Sequence, residues 1–542
     1  MNKFLSPEEL WQKFDISGPL LEEVLQTDVF GDFVYEQVMF SGQKYDDGVC
    51  KIFGVLAYSA SAPKPMPCIM LVHDFGGRVD YSYIDYFLNL GVAVFMCDYS
   101  GARDGERHTI FPPSKSHMNY CENNASDITR GIENSVWIGD TLVFRHALKF
   151  LRSQPIIKVD KIGVVALGLG SIIGFHLAFC EPQLSFCCNF HYGGWRDFEN
   201  ILSQLDSEMA KYLLVVAPQV YSPLAKVPVF LLGSTNSAIG DSDKIFDTFA
   251  RCNGLISNFL YLAPNRISTV DHLATKNLRL ILNKYLADAH IEIPFAPVLE
   301  FTIEDSSILV SCSVEKEIAI KSVTLYYCQG DNPPHLRAFK PYKLVLASSG
   351  SYVGNIPLSS SLATVAMANV QFANGLTLSS NQIKIAPFGD TIKKHNTLST
   401  GQRGTFFPLG TLNFPNANQF FSDKRQTVSS PCAFGLMGVC APRIASFALS
   451  DPTLEKTNKT LLIQIYSDLP QKIRLLLSEG NSHDANFSTT IDLVGGELWQ
   501  KVLLEPSDFA NSQMASLENF EDCHLLFFNS EYDFYISSMI MV

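Results

Sequence analysis

Apolar runs that are almost uninterrupted alternate with stretches of helical spacing between residues 33 and 287. The runs include CIMLVHDF, VAVFMCDYS, IGVVALGL, VPVFLLGST and NFLYLAP. Strands with this composition are typical of a parallel sheet that is covered on both faces. The helical stretches between them are Tyr81–Leu90, Ile132–Leu151, Ile172–Cys180 and Ala274–Leu286. This alternation predicts a doubly wound α/β sheet.

The pattern changes beyond the prolines at positions 294 and 297. Short strands with period-two alternation follow, separated by Ser, Gly and Asn turns, and they predict a small Ig-like β-sandwich. After a polar segment, strands return and predict a second sandwich of the jelly-roll type. The predicted division is a helical segment at 1–32, an α/β domain at 33–288, the Ig-like sandwich at 289–388, a linker or long loops at 389–432, and the jelly roll at 433–542, to which strands from 389–432 can belong.

The composition argues against several classes of function. The net charge of −13, from 41 basic and 54 acidic residues, disfavours a nucleic-acid partner or an anionic membrane surface. No apolar segment approaches the length of a membrane span, and the N-terminus MNKFLSPEELWQKFDI lacks the apolar core of a signal peptide, so we expect a cytoplasmic protein. The 13 cysteines include no CxxC pair, which favours buried free thiols over disulfides or a zinc site. We expect no metal and no cofactor.

The segment KIGVVALGLGSIIG, Lys161 to Gly174, has the pattern of a buried strand, a glycine-rich turn and a helix. A nucleophile elbow has this context and needs small residues two positions on either side of the nucleophile. Ala166 and Gly170 meet that requirement, but the central position is Gly168, which has no side chain that can attack a carbonyl. The competing interpretation is a dinucleotide-binding turn, for which the third glycine, Gly174, comes one residue late.

Residues 33–287 resemble the dienelactone hydrolase and acetylxylan esterase branch of the α/β-hydrolase superfamily, which implies an α/β-hydrolase fold. The matching pieces are FGVLAYSASAPKPMPCIMLVHDFGG, VAVFMCDYSG, HALKFLRSQPIIKVDKIGVVALGLG, VPVFLLGSTNS and NFLYLAPN, and the resemblance covers about half of the chain. In this superfamily the catalytic residues follow the order Ser, Asp, His. By this resemblance Gly168 stands at the serine position, Ser237 at the acid position, and His272 or Ser268 at the histidine position. The implied triad is therefore degenerate.

The segment HDFGG matches the oxyanion loop of the same family. The resemblance implies that backbone N–H groups in the loop of His73, Gly76 and Gly77, together with the N–H of Leu169 after the elbow, stabilise an oxyanion. Glycine in this loop permits a close approach of the backbone. An ordinary glycine turn is the competing interpretation.

Two loops that follow strands contain candidate pocket residues. Arg103, His108 and Tyr120 lie in the long polar loop after VAVFMCDYS, and His191 and Trp195 follow LSFCCNF. Ligands of open α/β sheets bind at the carboxyl ends of the strands, so these side chains face the expected cleft. An aromatic side chain there can stack on a sugar ring or pack in the core, and a solvated loop explains the polar side chains nearly as well.

The last part of the chain, GGELWQKVLLEPSDFANSQMASLENFEDCHLLFFNS, resembles sugar-binding jelly-roll modules. We expect Trp499 and Phe509 to be core anchors rather than a ligand platform, because buried aromatic residues dominate the cores of sandwiches. In the first sandwich, Arg337 and its aromatic neighbours indicate either docking against another domain or an ordinary loop.

These features favour an esterase-like α/β-hydrolase-fold protein without its serine nucleophile, non-catalytic or weakly active, that binds a carbohydrate or an acylated small molecule. The alternative is an active esterase with a relocated site. Its base is His272, and the candidates for the other roles are Asp241, Asp243, Asp271, Ser171 and an activated water. A third hypothesis is a multidomain scaffold that recognises a partner.

Overall fold

A computed structural model gives the structure of the protein. It describes residues 6–99, 108–118, 130–195, 198, 207–237, 239–252, 258–266, 270–304, 307–315, 318–329, 334, 337–359, 363–385, 406–408, 429–431, 437–446, 449, 456, 459–479, 487–496, 500–521 and 523–541. Within these residues, no helix combines the length and the apolar character that a membrane span requires.

The first nine strands form one mixed sheet in the order β1-β2-β3-β5-β4-β6-β7-β8-β9. Their bounds are β1 (Glu23–Phe30), β2 (Phe33–Tyr45), β3 (Gly48–Ser59), β4 (Met66–Val72), β5 (Ala93–Asp98), β6 (Ile157–Leu167), β7 (Phe186–Phe190), β8 (Val229–Ser234) and β9 (Phe259–Ala263). Neighbours from β5 to β9 are parallel, as the continuous apolar runs predict. Strands β1, β2 and β3 are antiparallel because two-residue turns join them, and a parallel connection needs a long crossover.

Eight α-helices surround this sheet within the described residues. Their bounds are α1 (Pro7–Trp11), α2 (Tyr81–Leu88), α3 (Val136–Ser153), α4 (Ser171–Cys180), α5 (Ser207–Val216), α6 (Pro218–Tyr221), α7 (Ser242–Phe249) and α8 (His272–Tyr285). The four predicted helices correspond to α2, α3, α4 and α8, with ends shifted by a few residues. Asp80, Asp241 and Asp271 begin α2, α7 and α8 by accepting hydrogen bonds from the first backbone N–H groups.

The N-terminal segment differs from the helix predicted over residues 1–32. Helix α1 is only five residues long, and it begins with a capping box formed by Ser6 and Glu9. Residues 23–30 instead form strand β1, which pairs with β2 as the edge of the sheet. Phe30 is 69% exposed, so this edge strand lacks the alternation of buried and exposed residues by which a sequence signals a strand.

Apolar side chains cover both faces of the mixed sheet. On one face Phe40 and Phe150 stack with ring centroids 4.7 Å apart. On the other face Phe230 packs against Tyr285, and this second layer continues into the following sheets through residues such as Leu325. The α/β region and the first antiparallel sheets therefore share one apolar core.

Two antiparallel sheets follow the α/β region. One has the order β10-β11-β15-β14, and the other has the order β13-β12-β16-β17 with β18 paired to β16. The bounds are β10 (Val298–Glu304), β11 (Ser307–Ser313), β12 (Ile320–Gln329), β13 (Lys340–Lys343), β14 (Val345–Leu346), β15 (Tyr352–Pro357), β16 (Thr364–Phe372), β17 (Thr377–Ser379) and β18 (Ile383–Ile385).

The remaining strands form an eight-stranded antiparallel sheet. Their bounds are β19 (Phe406–Pro408), β20 (Ser429–Pro431), β21 (Met437–Ser446), β22 (Leu461–Tyr466), β23 (Gln471–Glu479), β24 (Phe487–Leu493), β25 (Gln500–Leu504) and β26 (Cys523–Met541). Strand β26 is long, and its two halves pair with different partners. Phe509 is fully buried in a separate apolar core, as predicted for a core anchor, and Trp499 lies outside the described residues.

Candidate functional site

The strand–turn–helix predicted around Gly168 is present at the carboxyl end of β6. The strand ends at Leu167, residues 168–170 form one 3-10 turn, and α4 begins at Ser171. A Cβ atom on Gly170 would lie 2.4 Å from the carbonyl oxygen of His73, so this position requires glycine. The backbone of the elbow therefore approaches the loop after β4 so closely that a side chain at position 170 would not fit.

The place of a side chain at position 168 is taken by another residue, Asp74. A Cβ atom built on Gly168 would lie 2.0 Å from Asp74 Oδ2 and 2.2 Å from its Cγ. The φ angle of Gly168 is +53°, a left-handed conformation that further disfavours any other residue. Gly168 and the carboxylate of Asp74 are therefore a matched pair, in which the missing side chain makes room for the acid.

The other carboxylate oxygen, Asp74 Oδ1, accepts two backbone hydrogen bonds. The N–H of Leu169 donates at 2.8 Å and the N–H of Phe75 donates at 2.7 Å. In α/β-hydrolases the oxyanion hole takes one N–H from the residue after the nucleophile and one from the loop after the third strand. In this chain the N–H groups of Leu169 and Phe75 are both engaged by a carboxylate of the protein itself.

Of the residues predicted for the oxyanion loop, Leu169 donates to this oxygen, and His73, Gly76 and Gly77 shape the loop. The carbonyl oxygen of Asp74 accepts hydrogen bonds from Gly77 N–H and from His73 Nδ1, each at 2.8 Å. Gly76 has a φ angle of +75°. The sequence analysis did not select Asp74 or Phe75, although both lie within the HDFGG segment.

Tyr99 contacts His73 through both its ring and its hydroxyl group. The two rings stack with centroids 4.2 Å apart, and the Tyr99 hydroxyl donates to the His73 carbonyl oxygen at 2.8 Å. Burial lowers the pKa of His73, so its imidazole is neutral at physiological pH. The carboxylate of Asp74 is thus carried by a loop that several hydrogen bonds hold in place.

Burial dominates the electrostatics of Asp74. The residue is only 6% exposed, and burial raises its pKa to about 7 although the N–H groups of Leu169 and Phe75 favour the ionised form. No Lys or Arg among the described residues forms an ion pair with it. Asp140, on α3, is also fully buried, and burial together with the charge of Asp98 raises its pKa. Asp74 and Asp140 are therefore buried carboxyl groups without an ion-pair partner among the described Lys and Arg side chains.

The loop after β8, where the family's acid is expected, makes different contacts. Ser237 is buried, and its hydroxyl accepts a hydrogen bond from Gly240 N–H at 3.2 Å. Asp243 pairs with Arg337 through contacts of 2.6 and 3.0 Å and with Lys384 at 2.9 Å. Burial opposes ionisation, but the two cations hold the pKa of Asp243 below its usual range. Arg337 therefore docks against the α/β region, which is one of the two alternatives that its sequence context left open.

The candidate base and the candidate relocated nucleophile are not joined by a hydrogen bond. His272 is the first residue of α8 and is exposed, and it makes no hydrogen bond or ion pair with described residues. Its neighbour Asp271 caps α8 and accepts a hydrogen bond from the Tyr261 hydroxyl at 2.6 Å. Ser171 is buried, and its hydroxyl donates to the carbonyl oxygen of Phe190 at 3.4 Å. Ser268 lies outside the described residues.

The structure describes three of the five predicted pocket residues. His191 is buried in a left-handed conformation with a φ angle of +60°, and burial lowers its pKa to about 3, so it is a neutral side chain. Trp195 is half-buried with its ring against Tyr192 at 6.4 Å. His108 is half-buried, and Arg103 and Tyr120 lie outside the described residues.

No metal-binding cluster accompanies this arrangement in the described part of the chain, where no group of three or more His, Cys, Asp or Glu side chains is suited to hold an ion. Cys68, Cys187 and Cys188 are buried free thiols, as predicted.

No protein-family model matches the chain, and no curated protein matches it. Similar solved structures include acetyl xylan esterase 1 from Thermoanaerobacterium sp. JW/SL YS485, at 12% identity and a TM-score of 0.42 over 53% of this chain and 94% of that one. They also include an acetyl xylan esterase from Paenibacillus sp. R4, at 12% identity and a TM-score of 0.43 over 52% and 92% of the two chains. A dienelactone hydrolase described as putative, from Klebsiella pneumoniae, matches at 12% identity and a TM-score of 0.34 over 47% and 99%.

The N-terminal region has an α/β-hydrolase-like fold. Its mixed sheet crosses over between β3, β5, β4 and β6, and the elbow turn sits at the carboxyl end of β6 with a helix directly after it. Several antiparallel sheets occupy the rest of the described chain.

Proposed function

We propose that this chain is a non-catalytic α/β-hydrolase-like protein that binds a carbohydrate or an acylated small molecule. One observation supports the proposal: Asp74 Oδ1 accepts the N–H groups of Leu169 and Phe75, at 2.8 and 2.7 Å, where the resemblance implies an oxyanion hole, and Gly168 stands at the implied serine position without a side chain. The two features that accelerate ester hydrolysis most are thus absent together.

The magnitude of each loss supports this conclusion. A catalytic serine works as a unit with its base, and removing it leaves only the acceleration that binding and the oxyanion hole provide, about 10³–10⁴-fold over water. Removing a single oxyanion donor lowers kcat by about 10²–10³-fold. A substrate carbonyl at this site meets no nucleophile and no free donor pair, so little acceleration remains.

A relocated site has less support. Ser171 is buried with its hydroxyl directed to a carbonyl oxygen, and His272 is exposed on α8. Asp241 is engaged in capping α7, and Asp243 is engaged with Arg337. An active esterase would need at least two of these side chains to leave their present partners.

Hydrolysis assays on the full chain test the non-catalytic part of the proposal. With p-nitrophenyl acetate and acetylated xylo-oligosaccharides, we expect no saturable turnover above the buffer rate, and with a fluorophosphonate probe we expect no serine adduct. Ser171→Ala is the matched control. Saturable turnover or labelling that this substitution abolishes would establish a relocated nucleophile and contradict the proposal.

The antiparallel sheets serve as accessory modules in this proposal, an Ig-like sandwich at 289–388 and a sugar-binding jelly roll at 433–542 with strands from 389–432. Their purely antiparallel pairing supports this division. Limited proteolysis tests it, because exposed linkers between modules are cleaved first. Primary cleavage within 389–405, before strand β19, is the expected result, and primary cleavage inside either module would contradict it.

A further inference from the structure

Strand β10 is an outer strand of the sheet β10-β11-β15-β14, and β11 is its only partner among the described strands. In an antiparallel strand, the backbone N–H and C=O of one residue point to the same side, and those of the next residue point to the other side. Leu299 shows which side is the outer one. Its N–H donates to Asn381 Oδ1 at 2.6 Å, and its carbonyl oxygen accepts a hydrogen bond from Asn381 Nδ2 at 3.0 Å. The backbone groups of Leu299 therefore point away from β11.

Phe301 and Ile303 continue this outer edge. Strands β10 and β11 pair without a register shift along the whole of β10, so the backbone groups of Phe301 and Ile303 point outward like those of Leu299. Among the described residues, none forms a hydrogen bond with these outward groups. The Asn381 amide pairs with the first outward position as a neighbouring strand would, and the next two positions present unpaired N–H and C=O groups.

The side chains at these two positions are apolar and uncovered. In the register with β11, Phe301 lies opposite Val310 and Ile303 lies opposite Ile308, and both of these partners are fully buried. Directly opposite residues of two strands have their side chains on the same face of the sheet. Phe301 is nevertheless 40% exposed and Ile303 is 42% exposed. The apolar face of this sheet therefore extends beyond the core at its outer edge.

Acidic residues flank the two free positions along the strand. Glu300 is exposed, and position 304 is also a glutamate. A second copy of the chain that paired with both free positions would place Glu300 opposite Glu304 of that copy, and like charges directly opposite each other are destabilising. A strand with Lys or Arg at these two places and apolar residues between them matches the edge in charge and in polarity.

We infer that the outer edge of β10 binds an extended basic segment of a protein partner by strand addition. Its apolar residues lie opposite Phe301 and Ile303, and its Lys or Arg residues lie opposite Glu300 and Glu304. In this mode of recognition, main-chain hydrogen bonds supply affinity and alternate side chains supply specificity. The inference goes beyond the proposed function, because it concerns a protein partner and does not depend on the ligand of the α/β region.

The test uses the full chain and a short probe peptide, Lys-Val-Thr-Val-Lys, with blocked termini. An NMR titration of the isoleucine methyl groups at low ionic strength follows binding. We expect saturable shifts of the Ile303 and Ile308 signals at millimolar peptide. A matched peptide with Glu in place of both Lys residues should bind about tenfold more weakly, because it places like charges opposite Glu300 and Glu304.

Two modified peptides test the main-chain hydrogen bonds without changing the protein. N-methylation of both valines removes the donors that face Phe301 and Ile303, and it should weaken binding about tenfold or more. N-methylation of the threonine is the matched control, because that N–H points away from β10. This control peptide should bind like the unmodified one.

Three variants test the edge from the side of the protein. Glu300→Lys leaves one flanking charge of each sign, so the lysine and glutamate peptides should bind equally. Ile303→Pro removes an outward N–H that makes no bond to β11, and it should abolish the shift of Ile308. Leu346→Ala, on β14 at the opposite edge of the same sheet, is the matched control and should leave binding unchanged. Thermal unfolding shows that each variant is folded at the titration temperature.

Several outcomes would overturn the inference. Equal binding of the lysine and glutamate peptides by the wild-type chain would remove the basic character of the partner. Equal binding of the valine-methylated and unmodified peptides, or no shift of Ile303 and Ile308 at millimolar peptide, would exclude strand addition at this edge. A dimer in analytical ultracentrifugation that Ile303→Pro dissociates would assign the edge to a second copy of the chain instead.

Discussion

The two sides of the candidate site have changed in different ways. On the elbow side the carboxylate of Asp74 occupies the place that a side chain at position 168 would take, and it accepts a hydrogen bond from the N–H of Leu169. On the opposite side, the loop after β8 uses Asp243 to bind Arg337 and Lys384 from the following sheets. The elbow contact lies within the α/β region, whereas the loop after β8 belongs to an interface with the following sheets.

The interface is built from buried polar groups that satisfy backbone atoms. Asn265 exchanges two hydrogen bonds of 2.7 Å with the backbone of Phe339, and Asn277 does the same with Thr377 at 2.7 and 2.9 Å. A buried amide that loses its hydrogen-bond partners is unfavourable, so these bonds favour one arrangement of the α/β region and the sheets that follow it. The comparison shows that the elbow contact depends on the bare backbone of Gly168 and Gly170, whereas the contacts of the loop after β8 depend on side chains.

The largest expected effect comes from breaking the ion pair across the interface. Arg337→Met should lower the free energy of unfolding by about 3–5 kcal/mol, because it leaves the buried carboxylate of Asp243 without its bidentate partner. Urea unfolding followed by fluorescence measures the change. Lys384→Met is the matched control. Its side chain is 55% exposed, and it should lower the free energy of unfolding by less than about 1 kcal/mol. Equal losses would show that the interface does not depend on the bidentate pair.

The second prediction concerns the pH dependence that Asp74 imposes. Its pKa rises from 3.8 to about 7 on folding, which corresponds to a change of about 4 kcal/mol in the free energy of unfolding. Because the folded state holds the proton more tightly, this stability is complete below about pH 4 and is lost as the pH rises through 7. Asp74→Asn should lack that loss.

The difference between wild type and Asp74→Asn, measured by thermal unfolding from pH 4 to 8, isolates this residue because both proteins retain Asp140. The same series with Asp140→Asn is the control, and it should keep the loss of stability that belongs to Asp74. If the stability of wild type and of Asp74→Asn changed with pH in the same way, the burial of Asp74 at the elbow would not raise its pKa as described.

The third prediction concerns the fit between Gly168 and Asp74. Gly168→Ala should lower the free energy of unfolding by about 3 kcal/mol, from backbone strain and from overlap with the carboxylate. Gly91→Ala is the matched control. Gly91 also has a positive φ angle, +82°, but nothing lies within 4 Å of an added Cβ atom. This substitution should therefore lower the free energy of unfolding only by the backbone strain of about 1–2 kcal/mol.

A double-mutant cycle assigns the overlap to its source. Asp74→Ala removes the carboxylate, so the double variant should be more stable than the sum of the single effects by about 1–3 kcal/mol. Additive effects in urea unfolding would mean that the two residues do not compete for the same space.

The sequence predicts those features that depend on local patterns. The elbow, the central parallel strands and the helices are all present because each follows from apolar runs or helical spacing. Strand β1 has no such pattern, since Val24, Val29 and Phe30 are exposed along a polar edge. The mixed character of the sheet depends on short turns, which the pattern of apolar runs does not report.

The site itself depends on contacts between distant parts of the chain. The sequence shows Gly168 and the HDFGG segment, but not that the acid in that segment occupies the space of the missing side chain. A signal was available: an acidic residue directly before Phe-Gly-Gly, in a chain without a nucleophile. For Arg337, docking could be predicted as one alternative, but its partner Asp243 was one of three candidate aspartates with nothing in the sequence to separate them.

The smallest expected effect is at His272. Its exposed side chain lacks a described partner, so His272→Ala should change the free energy of unfolding by less than about 0.5 kcal/mol. The neighbouring Asp271→Ala removes a helix cap and the acceptor of the Tyr261 hydroxyl, and should cost about 1–2 kcal/mol. A destabilisation of His272→Ala as large as that of Asp271→Ala, measured by urea unfolding, would contradict this prediction.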